Sequence, residues 1–443
     1  MPEWAREEDV DVRASGVSAV GAPKGGYTLA LSVLASVFFM WGFCTVLNDI
    51  LAPHLKAVFE LNYTQSALVQ FTFFAAYFIM SLPAAKVIET IGYKASIMVG
   101  LAVMALGALL FVPAAALPSF PVFLTAQFVL ATGVTLLQVA ANPYVAVIGS
   151  PETASARLNL VQALNSLGDT VAPIFGGLLI LAHSTSGASR TAVVLTAHQK
   201  LTDAAAVKGP YVIIALVLLA LAGLIFITHL PKLQAQTDET RSAGTSIWRH
   251  KRLMLGVVGI FVYVGAEVAV GTYLINYISS PGVGDMSPAS AAKYVTYYWM
   301  GLMVGRFVGA FLMRHIRPAT LLAVVGAGAM VMIGASMLTT GMTAMWTIIL
   351  VGLCNSIMFP TIFTLSIEGL GPLTEKGSGL LVMAICGGGI LPEIQGALAD
   401  HIGLKLAFIA PALCYLFILY FALYVRKRPI AHAPSTLAAP QAA

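Results

Sequence analysis

Residues 28–55 read TLALSVLASVFFMWGFCTVLNDILAPHL, an apolar run that carries an amide and an acid, Asn48-Asp49, near its far end. About 20 helical residues cross the ~30 Å hydrocarbon core of a bilayer, so this run has the length of a membrane span. A carboxylate at that depth costs a few kcal/mol or more and is kept where it faces a water-filled cavity or a partner. The plainer alternative places Asp49 at the helix end, among headgroups.

Outward from this stretch the pattern recurs. Twelve candidate spans cover 28–55, 66–88, 95–116, 120–148, 157–182, 209–230, 252–279, 289–313, 319–340, 344–367, 378–399 and 403–425. The 443 residues are 58% hydrophobic and only 10% charged, too little charge to cover a soluble surface, which carries about 25%. The fold class expected is therefore an all-α polytopic membrane protein.

Residues 1–27 mix Arg6, Arg13 and Lys24 with acids and lack the apolar core of a cleavable signal, so they read as a tail. With both termini inside, the inner segments hold 17 Lys and Arg and the outer loops 6, with Arg306 inside a span. The inside-positive rule places both termini, 1–27 and 429–443, in the cytoplasm. The basic balance thus reflects topology and not a nucleic-acid partner. Cys44, Cys354, Cys386 and Cys414 fall in spans at unrelated spacings and read as packing residues, with no disulfide or metal site.

The longest polar inner loop, 231–251, follows six spans and precedes six, dividing the chain into bundles 28–230 and 252–428. The halves resemble each other. Gln138 precedes Pro143 by five residues and Asn355 precedes Pro360 by five, an offset of 217; Gly168-Asp169-Thr170-Val171-Ala172-Pro173 and Gly387-Gly388-Gly389-Ile390-Leu391-Pro392 match at an offset of 219. Duplicated halves with a substrate site between them near the midplane are how many secondary transporters are built. Both prolines free a backbone carbonyl within a span.

Polar side chains gather on helical faces. The fifth span has Asn159, Gln162, Asn165 and Asp169; the fourth Gln138 and Asn142; the first Thr45 with Asn48 and Asp49; the seventh Tyr263 and Glu267; the eleventh Glu393 and Gln395. Such amides and carboxylates with nearby rings (Tyr294, Tyr298, Trp299, Phe359) suit a sugar, whose hydroxyls need donors and acceptors and whose apolar face stacks on a ring. Interhelical hydrogen bonding is the rival reading of any one amide. Asp49 and Glu267 are the candidate proton carriers. Asp169 completes the fifth-span stripe, Glu393 lies toward an aqueous entrance, and Arg306 is either an ion partner for an acid or a side chain reaching the inner surface. Gly387-Gly388-Gly389 lacks the context of a phosphate loop and reads as close helix packing. No Ser/His/Asp, metal-ligand or cofactor signature is present, so an enzyme is not expected.

Leu47-Asn48-Asp49-Ile50-Leu51, Ala140-Ala141-Asn142-Pro143, Arg157-Leu158-Asn159-Leu160, Tyr263-Val264-Gly265-Ala266-Glu267 and Phe359-Pro360-Thr361-Ile362-Phe363 together resemble the fucose–proton symporter family of the major facilitator superfamily. The inner turns Glu89-Thr90-Ile91-Gly92-Tyr93-Lys94 and Arg314-His315-Ile316-Arg317-Pro318 resemble that superfamily's short basic loops. The resemblance implies twelve helices in two pseudo-symmetric six-helix bundles, alternating access and cation-coupled sugar uptake, with Asp49 in the motif of the family's proton site. Fucose members carry Glu where this chain has Gln138, and Gln where it has Glu267. A Gln before Ala-Ala-Asn-Pro is similar to the glucose/galactose branch.

The expectation is a hexose symporter of the inner (cytoplasmic) membrane, glucose or galactose before fucose, driven by protons with sodium second and without a cofactor. Cation coupling is expected at Asp49 and Glu267, and substrate binding at Asn48, Gln138, Asn142, Gln162, Asn165, Glu267, Tyr298, Asn355 and Phe359. Its partners are the sugar and the lipid bilayer, and one chain suffices, so a monomer is expected. The rivals are an efflux antiporter, which needs a larger and more apolar cavity, and a membrane sugar sensor, which usually carries a signalling domain.

Overall fold

The computed structural model describes residues 24–58, 63–116, 119–179, 208–228, 230 and 246–430, with the side chains at 24–27, 48–58, 63–67, 115–116 and 176–179 left undescribed. The chain is helical throughout this region, without a strand among the described residues. The first half holds α1 (Lys24–Val58), α2 (Tyr63–Ala116), α3 (Phe120–Val147), α4 (Ala154–Leu179) and α5 (Lys208–Ile227). The second holds α6 (Lys251–Ser279), α7 (Pro288–Leu312), α8 (Pro318–Leu338), α9 (Gly341–Asn355), α10 (Met358–Ile367), α11 (Thr374–Met383), a 3-10 stretch Ala384–Gly389, α12 (Leu391–Ile402), α13 (Leu404–Ala407) and α14 (Ile409–Lys427).

Each expected span falls largely on helical backbone over its described residues. Nine helical stretches among them are long and apolar enough to cross a membrane. One of the nine is double: α2 is two helical arms broken at Gly92 (φ 77°), a left-handed conformation that glycine adopts without a Cβ penalty. Just beyond the break, Lys94 Nζ donates to the carbonyls of Phe226 and Thr228, 2.9 Å each, and so caps the last turn of α5. The helices α4 and α7 are outside the nine because their polar residues lower their hydropathy. Some of those polar residues, Gln162, Tyr298 and Arg306 among them, belong to the site.

Large apolar side chains such as Phe71, Phe226, Ile227 and Leu338 stand exposed on the outside, as expected of a surface solvated by lipid. Inside, α1 and α4 pack at backbone contact. A Cβ at Gly168 would meet the Phe39 carbonyl at 2.2 Å, and one at Gly42 would meet the Asn165 carbonyl at 2.4 Å. Only small residues permit that approach.

The halves meet where α4 packs on α7 and α10, and where α2 and α3 pack on α11. The hydrogen bonds between halves among the described residues run from mid-span to the end carrying the basic turns. Tyr93 donates to Glu375 (2.9 Å), Ser155 and Thr364 share a bond of 2.6 Å, and Ser378 Oγ donates to the Val139 carbonyl (2.8 Å). Nearer mid-span, the Gly387-Gly388-Gly389 run is close packing: a Cβ at Gly387 would strike the Phe261 carbonyl at 2.1 Å, and Gly388 and Gly389 lie against Phe74 of the other half.

The two span-interior prolines behave differently. Pro143 leaves α3 continuous, and the Val139 carbonyl it cannot reach is the one Ser378 takes. Pro360 accompanies a break between α9 and α10. There Tyr263 Oη donates to the Asn355 carbonyl at 3.0 Å, and Arg306 Nε donates to the Ser356 carbonyl, which Pro360 leaves without a donor, at 3.1 Å.

Candidate functional site

The first-half part of the site is carried by α3 and α4, with a contribution from α2. On α3, Gln138 and Asn142 stand one turn apart and are both buried. Gln138 Nε2 donates to the Tyr77 hydroxyl at 2.5 Å, which leaves Gln138 Oε1 buried without a partner. Asn142 Oδ1 accepts from Gln162 Nε2 of α4 at 3.3 Å, which leaves Asn142 Nδ2 likewise. Buried polar atoms are nearly always paired, so an orphaned acceptor and an orphaned donor one turn apart mark where a polar ligand or water belongs.

The α4 stripe does not act as one face. Asn165 turns to α1, where its Nδ2 donates to the Phe38 carbonyl at 2.9 Å. Asp169 approaches Gly42 of α1 and lies within electrostatic reach of Tyr77. Asn159 leaves the group: it donates to Ser155 O (2.8 Å) and reaches Met313 Sδ and Thr361 Oγ1 of the other half at 3.4 Å each. Asn48 and Asp49 are on the helical backbone of α1, and their side chains lie outside the described residues.

The second-half part is charged. Glu267 of α6 is half-buried, with the Tyr263 hydroxyl within hydrogen-bond reach and Arg306 acting on it electrostatically. Asn355 Nδ2 donates to Tyr298 Oη at 2.8 Å, and Tyr298 Oη donates onward to the Glu267 carbonyl at 3.4 Å. Tyr415 of α14 comes in beside Asn355 and Glu267. Phe359 is buried and stacked on Phe363, ring centroids 6.0 Å apart. Trp299 packs edge-on to Tyr298 yet is 45% exposed on the outer surface, and Tyr294 joins Tyr297 and Trp346, so neither ring lines this centre.

Arg306 ties the halves together. It is buried, and besides the Ser356 carbonyl it donates through Nη1 to the Gln162 carbonyl at 2.9 Å and to Ser166 Oγ. It therefore does not reach the inner surface. A guanidinium presents several donors in a planar fork, which suits bridging carbonyls on two helices. Glu393 stands exposed near the start of α12, while Gln395 is fully buried with both amide atoms unpartnered. Among the described residues no group of three His, Cys, Asp or Glu side chains is placed to hold a metal.

Sequence reasoning missed Tyr77 and Tyr415, tyrosines in largely apolar spans. Tyr298 of α7 plays the same part in the second half, accepting from Asn355 as Tyr77 accepts from Gln138.

The family model described as Major Facilitator Superfamily matches residues 29–392. A glucose/galactose transporter of Brucella abortus biovar 1 (strain 9-941) is 51% identical over 405 residues, covering 90% of this chain and 95% of that protein. The L-fucose-proton symporter of Escherichia coli (strain K12) is 36% identical over 407 residues, covering 89% and 93%. Among solved structures, the transporter FucP in the outward conformation superposes with a TM-score of 0.83 at 35% identity, over 90% of this chain and 99% of that one.

Proposed function

This chain belongs to the Major Facilitator Superfamily, and we propose that within it the protein is a cation-coupled hexose symporter of the inner membrane, with glucose or galactose as substrate and the proton as coupling ion. The observation that carries the reading is the convergence of buried amides in the middle of the bundle, with Gln138 Oε1 and Asn142 Nδ2 left free for hydroxyls. The naming of relatives at up to 51% identity as glucose/galactose transporters supports the substrate, and the fucose–proton symporters support the proton.

In this reading the amides Asn48, Gln138, Asn142, Gln162 and Asn165 hold hydroxyls from one half, and Glu267, Asn355, Tyr298 and Phe359 complete the site from the other. Asp49 takes up a proton from outside. With carboxyl neutralised and sugar bound, the halves rock about the α4–α7 and α2–α11 contacts, and release inside resets the carrier. A ligand drives such a switch only by binding its two states unequally. The halves are closed at the basic end, which the inside-positive rule places in the cytoplasm with both termini. The arrangement is then outward-facing, in keeping with the FucP structure it superposes on. Asp169, Glu393 and Arg306 are supporting groups: an acid beside the first-half amides, an acid at the outer mouth, and the cross-link between halves.

The test is uptake of radiolabelled glucose, galactose and fucose by proteoliposomes under separately imposed proton and sodium gradients. Hexose accumulation under the proton gradient alone is expected. Accumulation only with sodium moves Asp49 and Glu267 from proton carriers to a sodium site, since carboxylate and amide oxygens bind that ion. No uptake of any of the sugars overturns the symporter reading. The Asp49→Asn variant is expected to lose accumulation and keep sugar exchange.

A further inference from the structure

We propose that Tyr77 is a positioning residue that commits Gln138 to present its carbonyl oxygen, so that α3 offers the substrate an acceptor followed one turn later by a donor, a pair suited to two adjacent hydroxyls. The inference rests on the hexose reading and deepens it.

A primary amide is ambiguous. Its oxygen accepts and its nitrogen donates, and rotation about the last side-chain bond exchanges them. A recognition site built from amides is selective only where something fixes each orientation. At Asn142 that partner is Gln162, whose Nε2 donates to Oδ1 and leaves Nδ2 outward. At Gln138 it is the Tyr77 hydroxyl, which accepts from Nε2 and leaves Oε1 outward. A phenol can also donate, so its acceptor role needs a reason. The Asp169 carboxylate is near enough to act on Tyr77 and favours a phenol proton turned toward it, which leaves the phenol lone pairs for Gln138. Tyr77 is itself buried and held by neighbouring Phe73, ring centroids 5.4 Å apart, so the hydroxyl is fixed in place.

Residues at i and i+4 of a helix lie on one face, with Cβ atoms roughly 6 Å apart. A free Gln138 Oε1 and a free Asn142 Nδ2 on one face can serve two hydroxyls of one ring, the first donating to Oε1 and the second accepting from Nδ2. The second half repeats the arrangement. Asn355 Nδ2 donates to Tyr298, whose proton is turned toward the Glu267 carbonyl. An amide oriented by a tyrosine thus occurs in both halves, at positions 138 and 355 that the repeat pairs.

The experiment is galactose exchange by proteoliposomes carrying the full chain, comparing wild type, Tyr77→Phe, Gln138→Glu and the double variant. Tyr77→Phe is expected to raise KM about tenfold with the maximal rate within about twofold, because one recognition bond loses its orientation while the transport cycle is untouched. Glutamate at 138 presents an oxygen in either rotamer and needs no orienting tyrosine. In the Gln138→Glu background the tyrosine change is therefore expected to raise KM by no more than about twofold. An unchanged KM in Tyr77→Phe overturns the inference, as does a KM rise of the same size in both backgrounds, which marks a packing role. A wild type that exchanges no hexose overturns the transport reading itself, before any variant is compared.

Discussion

In the first half an amide of α3, Gln138, donates to a tyrosine of α2; in the second, 217 positions later, Asn355 donates to a tyrosine of α7. The chemistry around the two pairs differs. Gln138 is accompanied by the further amides Asn142 and Gln162, whereas Asn355 is accompanied by Glu267 and Arg306. The two halves thus set an amide–tyrosine pair in different surroundings. Neutral amides read hydroxyls at little electrostatic cost, because they carry no charge to desolvate. A carboxylate and a guanidinium in the same environment are tolerated only with partners, and they respond strongly to a change in surroundings. The neutral amides Gln138, Asn142 and Gln162 are chemically suited to reading hydroxyls, and the Glu267–Arg306 pair to a change of charge state and to the closing of the bundle.

The strongest way to break this contrast is Arg306→Met. The substitution keeps apolar bulk but strips donors from the Ser356 and Gln162 carbonyls and removes the cation that faces Glu267. A loss of about 3 kcal/mol is expected, seen as a lower thermal unfolding midpoint in detergent. Arg306→Lys is expected to recover only part of it, because an ammonium cannot fork across carbonyls on two helices. A midpoint equal to wild type in Arg306→Met sinks the cross-link.

A smaller effect sharpens the comparison between the two tyrosines. Tyr298→Phe removes the donor to the Glu267 carbonyl and the acceptor for Asn355, at a cost of about 1 kcal/mol. If the charged half serves coupling, this variant lowers the proton-driven accumulation ratio while changing galactose KM less than about threefold, the reverse of Tyr77→Phe. Equal KM changes in the two variants would erase the division of labour.

The sequence made most of the architecture legible, for a physical reason: lipid forces nearly every turn of a span to be apolar, so spans announce themselves by length. It also singled out Gln138, Asn142, Gln162, Glu267 and Asn355, because polar groups in such runs are few. What it did not disclose is which neighbour each one meets. Asn159 shares the spacing of the α4 stripe but meets Met313 and Thr361, because α4 is wedged among α1, α3, α7 and α10 and its polar face turns from one neighbour to the next. Arg306 looked like a partner for an acid or a side chain bound for the surface. Its actual use depends on a carbonyl that Pro360 leaves free on another helix, and no single span reveals that. Tyr77 was hidden because an aromatic ring in an apolar span reads first as packing.

The mildest prediction concerns the prolines that the repeat places at corresponding positions. Pro143 leaves the Val139 carbonyl without its helical donor, and Ser378 Oγ fills the gap at 2.8 Å from the opposite half. In the second half the matching carbonyl, Ser356, is filled by Arg306 from its own half. The first bond therefore exists only while the halves are closed at the basic end, and the second survives opening. Ser378→Ala is expected to cost the closed arrangement about 1 kcal/mol, raising the open population roughly fivefold. Spin labels at Thr90 and Lys376, in a chain whose four cysteines are replaced by serine, would register this as a larger long-distance fraction. Substituting Pro143→Ala restores an N–H that takes the Val139 carbonyl within α3, so Ser378→Ala should become nearly silent in that background. An undiminished effect there would mean that Ser378 holds the halves by packing and not through the carbonyl that proline left free.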